Sequence, residues 1–293
     1  KLMIKYFLIL ITFFFYGVTV GVYKIPPYNT LSSVKNFFFA KQEKNFFDYY
    51  ARFTKCNLPI IKNLTEGSNA FIGHAYGSPN KSKMENFLSL NVENFISSHS
   101  HYLNNIIFTG DVFLVPSIQK WKRLKQLEKN FQIHIAPGNH DIFRLDSNDV
   151  FKLSVFNDVK LPSLIKTNNI DIVIDNSISS KWTVSNKTIK LVNNINAKKV
   201  IIARHNAPIK ELSSLVNSLD GKSSNLGSID ELILKLKNKS LFWIIGDGGG
   251  FSNMPRTNCI KFKNHTFIIN GIGGIDGDEI IIEKNGELFR FII

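Results

Sequence analysis

Short apolar runs alternate with amphipathic stretches along most of the chain after residue 67. The runs have the length and the Ile, Val and Phe content of buried strands, whereas the stretches between them repeat apolar residues at helical spacing. The predicted strands are Ala70–Ile72, Ile106–Thr109, Gln132–Ala136, Ile172–Asp175, Val200–Ala203 and Leu241–Ile245. The predicted helices are Val92–Leu103, Ile118–Lys129, Ile209–Leu219 and Ile229–Leu236. This alternation predicts an α/β layered fold.

The C-terminal part has a strand pattern without intervening helices. Strands are predicted at Thr266–Asn270, Glu279–Glu283 and Leu288–Ile292, and the turns between them are rich in glycine. Asn285-Gly286 is a typical two-residue hairpin turn, because both residues tolerate positive φ. We therefore expect antiparallel pairing at this end of the chain.

A stretch near the N-terminus differs from the rest. Tyr6–Tyr23 carries no charged residue and is bracketed by Lys5 and Lys24. Eighteen helical residues span about 27 Å, close to the thickness of a bilayer core. The stretch has no polar stripe, which a helix packed on a soluble core would show. It predicts one transmembrane helix, and the lack of a small-residue cleavage pattern after it favours an uncleaved anchor.

The charge distribution around this stretch gives an expected topology and a domain plan. Lys1 and Lys5 favour a cytoplasmic N-terminus and thus an extracytoplasmic domain in a single-pass membrane protein, although lysines on the far flank weaken that bias. Pro26–Pro27 ends the apolar helix. The predicted plan is a flank at 1–5, an anchor at 6–23, a juxtamembrane connector at 24–66 and one folded domain at 67–293.

Charge and cysteine content limit the classes of ligand and partner that this protein is expected to bind. The formal net charge is +13, but the lysines are scattered in short groups, which is typical of a solvated surface. No dense basic run interleaved with aromatic residues occurs, so no nucleic acid is expected as a specific partner. Cys56 and Cys259 do not form a zinc pattern. They are either one disulfide, if the domain lies outside the cytoplasm, or two free thiols.

Several predicted strands end in a glycine-containing loop with a side chain able to bind metal. The loops are Gly73-His74-Ala75-Tyr76-Gly77, Gly110-Asp111, Gly138-Asn139-His140-Asp141, His205-Asn206-Ala207-Pro208 and Gly246-Asp247-Gly248-Gly249. In layered α/β folds, ligands bind at the carboxyl ends of strands. Glycine lets the backbone turn sharply and approach a ligand closely.

This order of loops resembles the calcineurin-like metallophosphoesterase superfamily over residues 68–275. Phe108–Asp111, Ala136–Asp141 and Val200–His205 carry the resemblance, and Phe267–Gly274 is similar to the strand and turn that follow the last motif. The resemblance implies a four-layer αββα sandwich of two mixed sheets flanked by helices. It also implies metal ligands among His74, Asp111, Asn139, His205 and Asp247.

Two loops depart from the family pattern. The first holds His74 and Tyr76 where the family has Asp-x-His, and the last holds Asp247 and Gly249 where the family has His-x-His. One metal site keeps its ligands, with a carboxylate for an imidazole, whereas the second site loses two histidines. The resemblance thus implies one or two divalent transition metal ions (Mn, Fe or Zn). Tyr76 either ligates through its oxygen or forms a hydrogen bond.

The resemblance implies metal-dependent hydrolysis of a phosphate mono- or diester at a membrane. His140 is expected to protonate the leaving group, a task that suits an imidazole. Asp141 is expected to orient His140, and Arg204 to contact the phosphoryl group. Because two loops have diverged, a second possibility stays open: a binding or scaffold protein with the same fold and no catalysis.

Overall fold

The computed structural model describes residues 12, 15–17, 52–78, 86–128, 131–142, 147–156, 160–215, 226–236, 239–248 and 257–293. The chain divides into two compact units, Lys1–Tyr49 and Tyr50–Ile293. In the first unit, Thr12 and Phe15–Gly17 are helical and exposed. Among the residues described, no helix combines the length and the apolar character needed to span a membrane. Most of the predicted anchor, Tyr6–Tyr23, lies outside the described residues.

The second unit is an α/β structure with two mixed sheets and flanking helices. Its strands are β1 Thr54–Lys55, β2 Ile60–Ile61, β3 Ser68–Ile72, β4 Leu103–Phe108, β5 Gln132–Ile135, β6 Ser163–Ile165, β7 Asp171–Ile174, β8 Lys199–Arg204, β9 Ser240–Ile245, β10 Thr257–Phe262, β11 His265–Asn270, β12 Glu279–Lys284 and β13 Glu287–Ile292. Its helices are α1 Leu90–His99, α2 Ile118–Gln126, α3 Asn139–Ile142, α4 Ser147–Lys152, α5 Asn186–Asn194 and α6 Ile229–Lys235, with 3-10 turns at Ser100–Tyr102 and Lys210–Leu215.

Each sheet combines parallel and antiparallel pairs of strands. Within the described ranges, one sheet has seven strands in the order β1-β10-β11-β9-β8-β7-β6, and the other has six in the order β2-β13-β12-β3-β4-β5. Strands β3, β4 and β5 are parallel, as are β7, β8, β9 and β11. Parallel neighbours need crossover connections, and helices α1, α2, α5 and α6 lie in the connections β3–β4, β4–β5, β7–β8 and β8–β9. The carboxyl ends of the parallel strands therefore share one edge of each sheet.

Neighbouring residues of one strand belong to different apolar clusters on the two faces of the sheet. Phe71 and Ile107 of the six-stranded sheet share a buried apolar cluster with Ile201 and Ile268 of the seven-stranded sheet. Ile72, the neighbour of Phe71, belongs instead to a second buried cluster. Because successive side chains of a strand point to opposite faces, the six-stranded sheet lies between two apolar layers.

In the second apolar cluster, helices pack against the other face of the six-stranded sheet. It joins Ile72 and Ile106 to Phe95 of α1 and Trp121 of α2. Both helices begin at a serine whose side chain accepts a backbone N–H, from Val92 in α1 and from Lys120 in α2. Such caps satisfy N–H groups that have no partner within the helix.

Most predicted elements are confirmed, with some differences in bounds and type. The helix predicted to Leu103 ends earlier, at His99, and Leu103 begins β4. The described part of Ile209–Leu219 forms a 3-10 turn at Lys210–Leu215. The structure also contains β6, α5 and β10, for which the sequence indicated no element.

The edge strand β1 carries a covalent link. Cys56 follows β1 and forms a disulfide with Cys259 of β10. The Cys56 N–H donates to the Cys259 carbonyl at 2.9 Å, beside the antiparallel β1–β10 pair. Of the two alternatives that the sequence left open, the structure contains the disulfide. Residues assigned to the connector at 54–55 and 60–61 thus pair with strands of the sheets.

Candidate metal centre

The strand-end loops of both sheets meet at one place. His74 and Asp111 follow β3 and β4, whereas His205 and Asp247 follow β8 and β9. Backbone hydrogen bonds join these loops in pairs. The His74 N–H donates to the Gly110 carbonyl at 3.1 Å, and the Asp247 N–H donates to the His205 carbonyl at 3.1 Å. The two sheets thus bring together side chains that are far apart in the sequence.

Two glycines make this close approach possible. A Cβ on Gly138 would lie 2.2 Å from Asp111 Oδ1. A Cβ on Gly110 would lie 2.4 Å from His205 Nδ1, and Gly110 has a φ of +91°. Both distances are shorter than any van der Waals contact, so a side chain at either position would displace a candidate ligand.

Asp111 lies at the centre of the cluster. Its Oδ2 is 3.6 Å from His74 Nε2 and 3.9 Å from His140 Nε2, and its Oδ1 is 3.5 Å from His205 Nε2. His74, Asp111 and His205 offer one ligand atom each within 4.8 Å of one another. Donor atoms around one ion at bond lengths near 2.1 Å lie about 3.4 Å apart in a tetrahedral site. The donor spacing in this cluster fits that requirement.

The tautomer of His205 is fixed by the backbone. His205 Nδ1 lies 3.1 Å from the Thr109 carbonyl, which can only accept, so Nδ1 carries a proton. In the neutral ring, Nε2 is then an acceptor, and it faces another acceptor, Asn139 Oδ1, at 3.1 Å. A cation bound by both atoms satisfies both lone pairs. A ring nitrogen held by a backbone carbonyl is the usual arrangement of a metal-binding histidine.

His74 provides an independent test of whether the residues fit a metal ion. Its side chain is buried, and neither ring nitrogen has a hydrogen-bond partner among the described residues. Nε2 lies 3.6 Å from Asp111 Oδ2 and 3.7 Å from Asp247 Oδ1, which is too long for hydrogen bonds. A buried polar atom without a partner costs about 1–3 kcal/mol, and a cation among these three side chains removes that cost.

The backbone at the cluster is held in an unfavourable region. His74 has a φ of 50° and Asp111 a φ of 54°. Left-handed conformations cost non-glycine residues about 1–2 kcal/mol each, and such residues concentrate at functional sites. The two strained positions are therefore consistent with side chains that the fold aims at a common point.

Electrostatics at the cluster favours a cation. Burial opposes ionisation of Asp111, but the charges of His205, His140 and His74 outweigh it and lower the pKa of Asp111 to about 2. Burial also lowers the pKa of His74, but interactions with Asp247 and Asp111 reverse that effect and raise its pKa. The buried carboxylates therefore attract positive charge to this point.

His140 lies at the rim of the cluster. Its Nδ1 is 3.0 Å from the Leu114 carbonyl, so Nδ1 is the donor and Nε2 is the nitrogen on the side of Asp111. The His140 side chain is 15% exposed, more than those of the buried candidate ligands, so solvent reaches it. The structure therefore places a titratable imidazole next to the ligand set, as a proton donor requires.

Asp141, which we expected to orient His140, makes other contacts. Its carboxylate accepts hydrogen bonds from the backbone N–H groups of Gly138, Asp111 and Val112 at 2.9–3.1 Å. It thus ties the Asp111 loop to the Gly138 loop, and the Leu114 carbonyl orients His140 instead. Burial and the nearby Asp111 charge raise the pKa of Asp141 to about 7.

Arg204, which we expected to contact the phosphoryl group, is not brought to the cluster. It is fully buried, and its Nη1 pairs with Asp175 Oδ2 at 3.0 Å. Its Nε donates to the Asn206 carbonyl at 2.7 Å. In the alternating strand β8, Arg204 points away from the side to which His205 points.

Tyr76 packs between two candidate site histidines. Its ring centroid lies 5.5 Å from that of His74 and 5.4 Å from that of His140. The side chain is buried. Gly249, which also departs from the family pattern, lies outside the described residues.

Sequence reasoning missed the groups that hold the candidate ligands. The carbonyls of Thr109 and Leu114 orient His205 and His140, and backbone acceptors leave no sequence signal. Asn206 Nδ2 donates to Asp247 Oδ2 at 3.1 Å. Asn206 directly follows His205 in a strand-end loop, and this position in the sequence would have identified it as a partner of the candidate ligands.

Comparisons with known proteins give a distant similarity of structure. No protein-family model matches the sequence, and no match to a curated protein was found. Among solved structures, GAP50, the anchor in the inner membrane complex of Plasmodium, is similar at 14% identity and a TM-score of 0.45, covering 76% of this chain and 83% of that one. Phosphopantetheinyl hydrolase (PptH) from Mycobacterium tuberculosis is similar at 11% identity and a TM-score of 0.43, covering 71% of this chain and 91% of that one. Neither similarity assigns a function to this chain.

Proposed function

We propose that this protein is a metal-dependent phosphoester hydrolase. The observation that carries the proposal is the buried cluster of His74, Asp111 and His205. In it, the His74 side chain has no hydrogen bond to any residue that the structure describes, and Asp111 lies within 3.9 Å of three imidazoles. The resemblance of the strand-end motifs to the calcineurin-like superfamily supports the reaction class. The four-layer arrangement expected for that superfamily forms part of the same proposal.

In this proposal, the residues of the cluster have distinct roles in the reaction. His74, Asp111, Asn139, His205 and Asp247 hold one or two divalent transition metal ions. When bound, such an ion neutralises phosphoryl oxygens and lowers the pKa of water to near 7. His140 Nε2 donates a proton to the leaving oxygen, because its Nδ1 is committed to the Leu114 carbonyl. Asp141 keeps the Asp111 and Gly138 loops in register during turnover.

The proposed proton donor is tested by the choice of leaving group. We expect His140→Ala to reduce turnover of an alkyl phosphate by about 10²–10⁴-fold, because a poor leaving alkoxide needs protonation. Turnover of nitrophenyl phosphate should fall much less, because nitrophenolate leaves unprotonated. His101→Ala, at an exposed histidine, is the matched control and should change neither rate. Equal losses on both substrates would argue against the role of His140.

One observation favours the alternative, a binding or scaffold protein without catalysis. Four of the five candidate ligands, His74, Asp111, His205 and Asp247, are buried, and the Tyr76 ring lies between His74 and His140. A metal in such a setting could have only a structural role. Metal content and turnover, measured on the same preparation, separate the two functions: bound metal without hydrolysis of any phosphoester in a broad panel supports the alternative.

We also propose that residues 6–23 anchor the protein in a membrane, with the folded unit outside the cytoplasm. The uncharged apolar stretch between Lys5 and Lys24 supports the anchor. The Cys56–Cys259 disulfide supports the location, because structural disulfides persist mainly in oxidising compartments.

A further inference from the structure

The side chain of Asn206 lies between a candidate ligand and a serine hydroxyl. Asn206 is buried, and its Nδ2 donates to Asp247 Oδ2 at 3.1 Å. On its other side, the Ser177 hydroxyl donates to Asn206 Oδ1 at 3.1 Å. A carboxylate can only accept, so the amide must present its NH₂ group to Asp247 and its oxygen to Ser177. Both ends of the amide are thus specified.

This contact gives the two oxygens of Asp247 different roles. Oδ2 is occupied by Asn206, whereas Oδ1 lies 3.7 Å from His74 Nε2 and 3.8 Å from His205 Nε2. Asp247 follows β9 in a glycine-rich loop, where its side chain could otherwise adopt several rotamers. The hydrogen bond from Asn206 selects the rotamer that turns Oδ1 toward the two histidines.

The Asn206 backbone is itself held in place. Arg204 Nε donates to the Asn206 carbonyl at 2.7 Å, and the Asn206 N–H donates to Ser177 Oγ at 3.2 Å. Arg204 is paired with Asp175, whose other oxygen accepts from the Thr188 hydroxyl at 2.6 Å. A buried polar chain thus runs from α5 through Asp175, Arg204 and Asn206 to Asp247.

We propose that Asn206 is a positioning residue of the metal centre, acting through Asp247 and fixed by Ser177. The inference rests on the proposed function, because it requires that Asp247 bind a metal ion. Outer groups that hydrogen-bond to metal ligands commonly contribute 10–100-fold to metal affinity. Asn206 is expected to contribute in that range, although it does not contact the ion.

The test measures the Kd of the full-length chain for Zn²⁺ and the visible spectrum of its Co²⁺ form. Asn206→Leu keeps the approximate volume and removes the hydrogen bond to Asp247. We expect it to weaken Zn²⁺ binding about 10–100-fold and to change the Co²⁺ spectrum. Ser177→Ala leaves the amide in place without its orienting hydroxyl, and should have a smaller effect in the same direction. It provides the test if Asn206→Leu does not fold.

A double variant tests whether Asn206 acts through Asp247. Added to Asp247→Ala, the change Asn206→Leu should leave the Kd for Zn²⁺ unaltered, because two residues acting through one ligand are not additive. Asn105→Leu is the matched control. Asn105 is a buried asparagine whose side chain bonds Asn69 and His134, so it should lower thermal stability without changing the Kd or the Co²⁺ spectrum.

The outcomes separate this inference from the proposed function. If the wild-type chain binds no Zn²⁺, both fail. If the wild type binds Zn²⁺ and Asn206→Leu and Ser177→Ala each stay within twofold of its Kd, only the positioning role is overturned. The same holds if Asn206→Leu weakens binding equally with and without Asp247.

Discussion

At the scale of single residues, the cluster is defined by which buried atoms have partners. His205 and His140 each direct one ring nitrogen to a backbone carbonyl, whereas neither ring nitrogen of His74 has a hydrogen bond within the described part of the chain. Motif order predicted that these side chains would meet, because it reports which loops follow strands. It could not show where the Arg204 side chain points, because strand alternation and the partner Asp175 decide that.

His74 and Asp247 exchange the residue types of the family pattern, and we expect them to act together. A carboxylate replaced by an imidazole removes negative charge, and the opposite change restores it. His74→Ala and Asp247→Ala should each lower metal occupancy, with non-additive effects, because they act on one cluster. The swapped pair, His74→Asp with Asp247→His, should retain more metal than either single swap. Unchanged metal content in His74→Ala would exclude His74 from the centre.

The Arg204–Asp175 ion pair should contribute to stability because removing one partner leaves a buried charge. Arg204→Met is expected to lower the free energy of unfolding by about 3–5 kcal/mol. Arg204→Met combined with Asp175→Leu should cost less than the sum of the single changes, since no charge is left unpaired. Urea denaturation of the four proteins measures this. A loss in Arg204→Met below about 1 kcal/mol would contradict the assignment.

At the scale of elements, the hydrophobic pattern of the sequence predicted the strands and helices with strong periodicity and missed those without it. The central strands β3, β4, β8 and β9 are apolar runs and were predicted within a few residues. Helix α5 was missed because asparagines, which have low helix propensity, occupy both of its ends. Its serine cap and the packing of Val192 stabilise it nevertheless. Strand β1 has two residues, too few for a sequence pattern, and it is recognised as a strand by its pairing with β10.

The disulfide holds β1 to the edge of the seven-stranded sheet across 203 residues of sequence. A cross-link that closes so long a loop stabilises the fold by about 5 kcal/mol in the chain-entropy description. We expect Cys56→Ala and Cys259→Ala to reduce the free energy of unfolding equally in oxidising buffer, and the double variant to add nothing further. Reduced wild type should match them. A variant as stable as the oxidised wild type would show that the bond contributes nothing.

At the scale of the whole molecule, the site exists only because two sheets meet. Each sheet supplies two or more of the candidate ligands, and neither has a complete set. Sequence order alone could not show that β3 and β9 end beside each other, since packing between the sheets decides it. The resemblance of the motifs supplied that expectation. In the structure, a Cβ on Gly73, after β3, would lie 2.6 Å from the backbone of Gly246, after β9.

The proposed membrane topology predicts access from outside the cell. Protease added to intact cells should remove the folded unit if residues 6–23 anchor it with that unit outside the cytoplasm. A cytoplasmic control protein should survive the treatment. Digestion of the folded unit only after lysis would reverse the proposed orientation.

The central claim is that the strand-end cluster is a metal centre. The most direct measurement is elemental analysis of the purified full-length chain after reconstitution with Mn²⁺, Fe²⁺ or Zn²⁺ and removal of free metal. We predict at least one ion per wild-type chain and loss of that ion in Asp111→Ala, because Asp111 lies within 3.9 Å of three imidazoles. Metal at trace level in the wild type, or equal amounts in Asp111→Ala, would contradict the account.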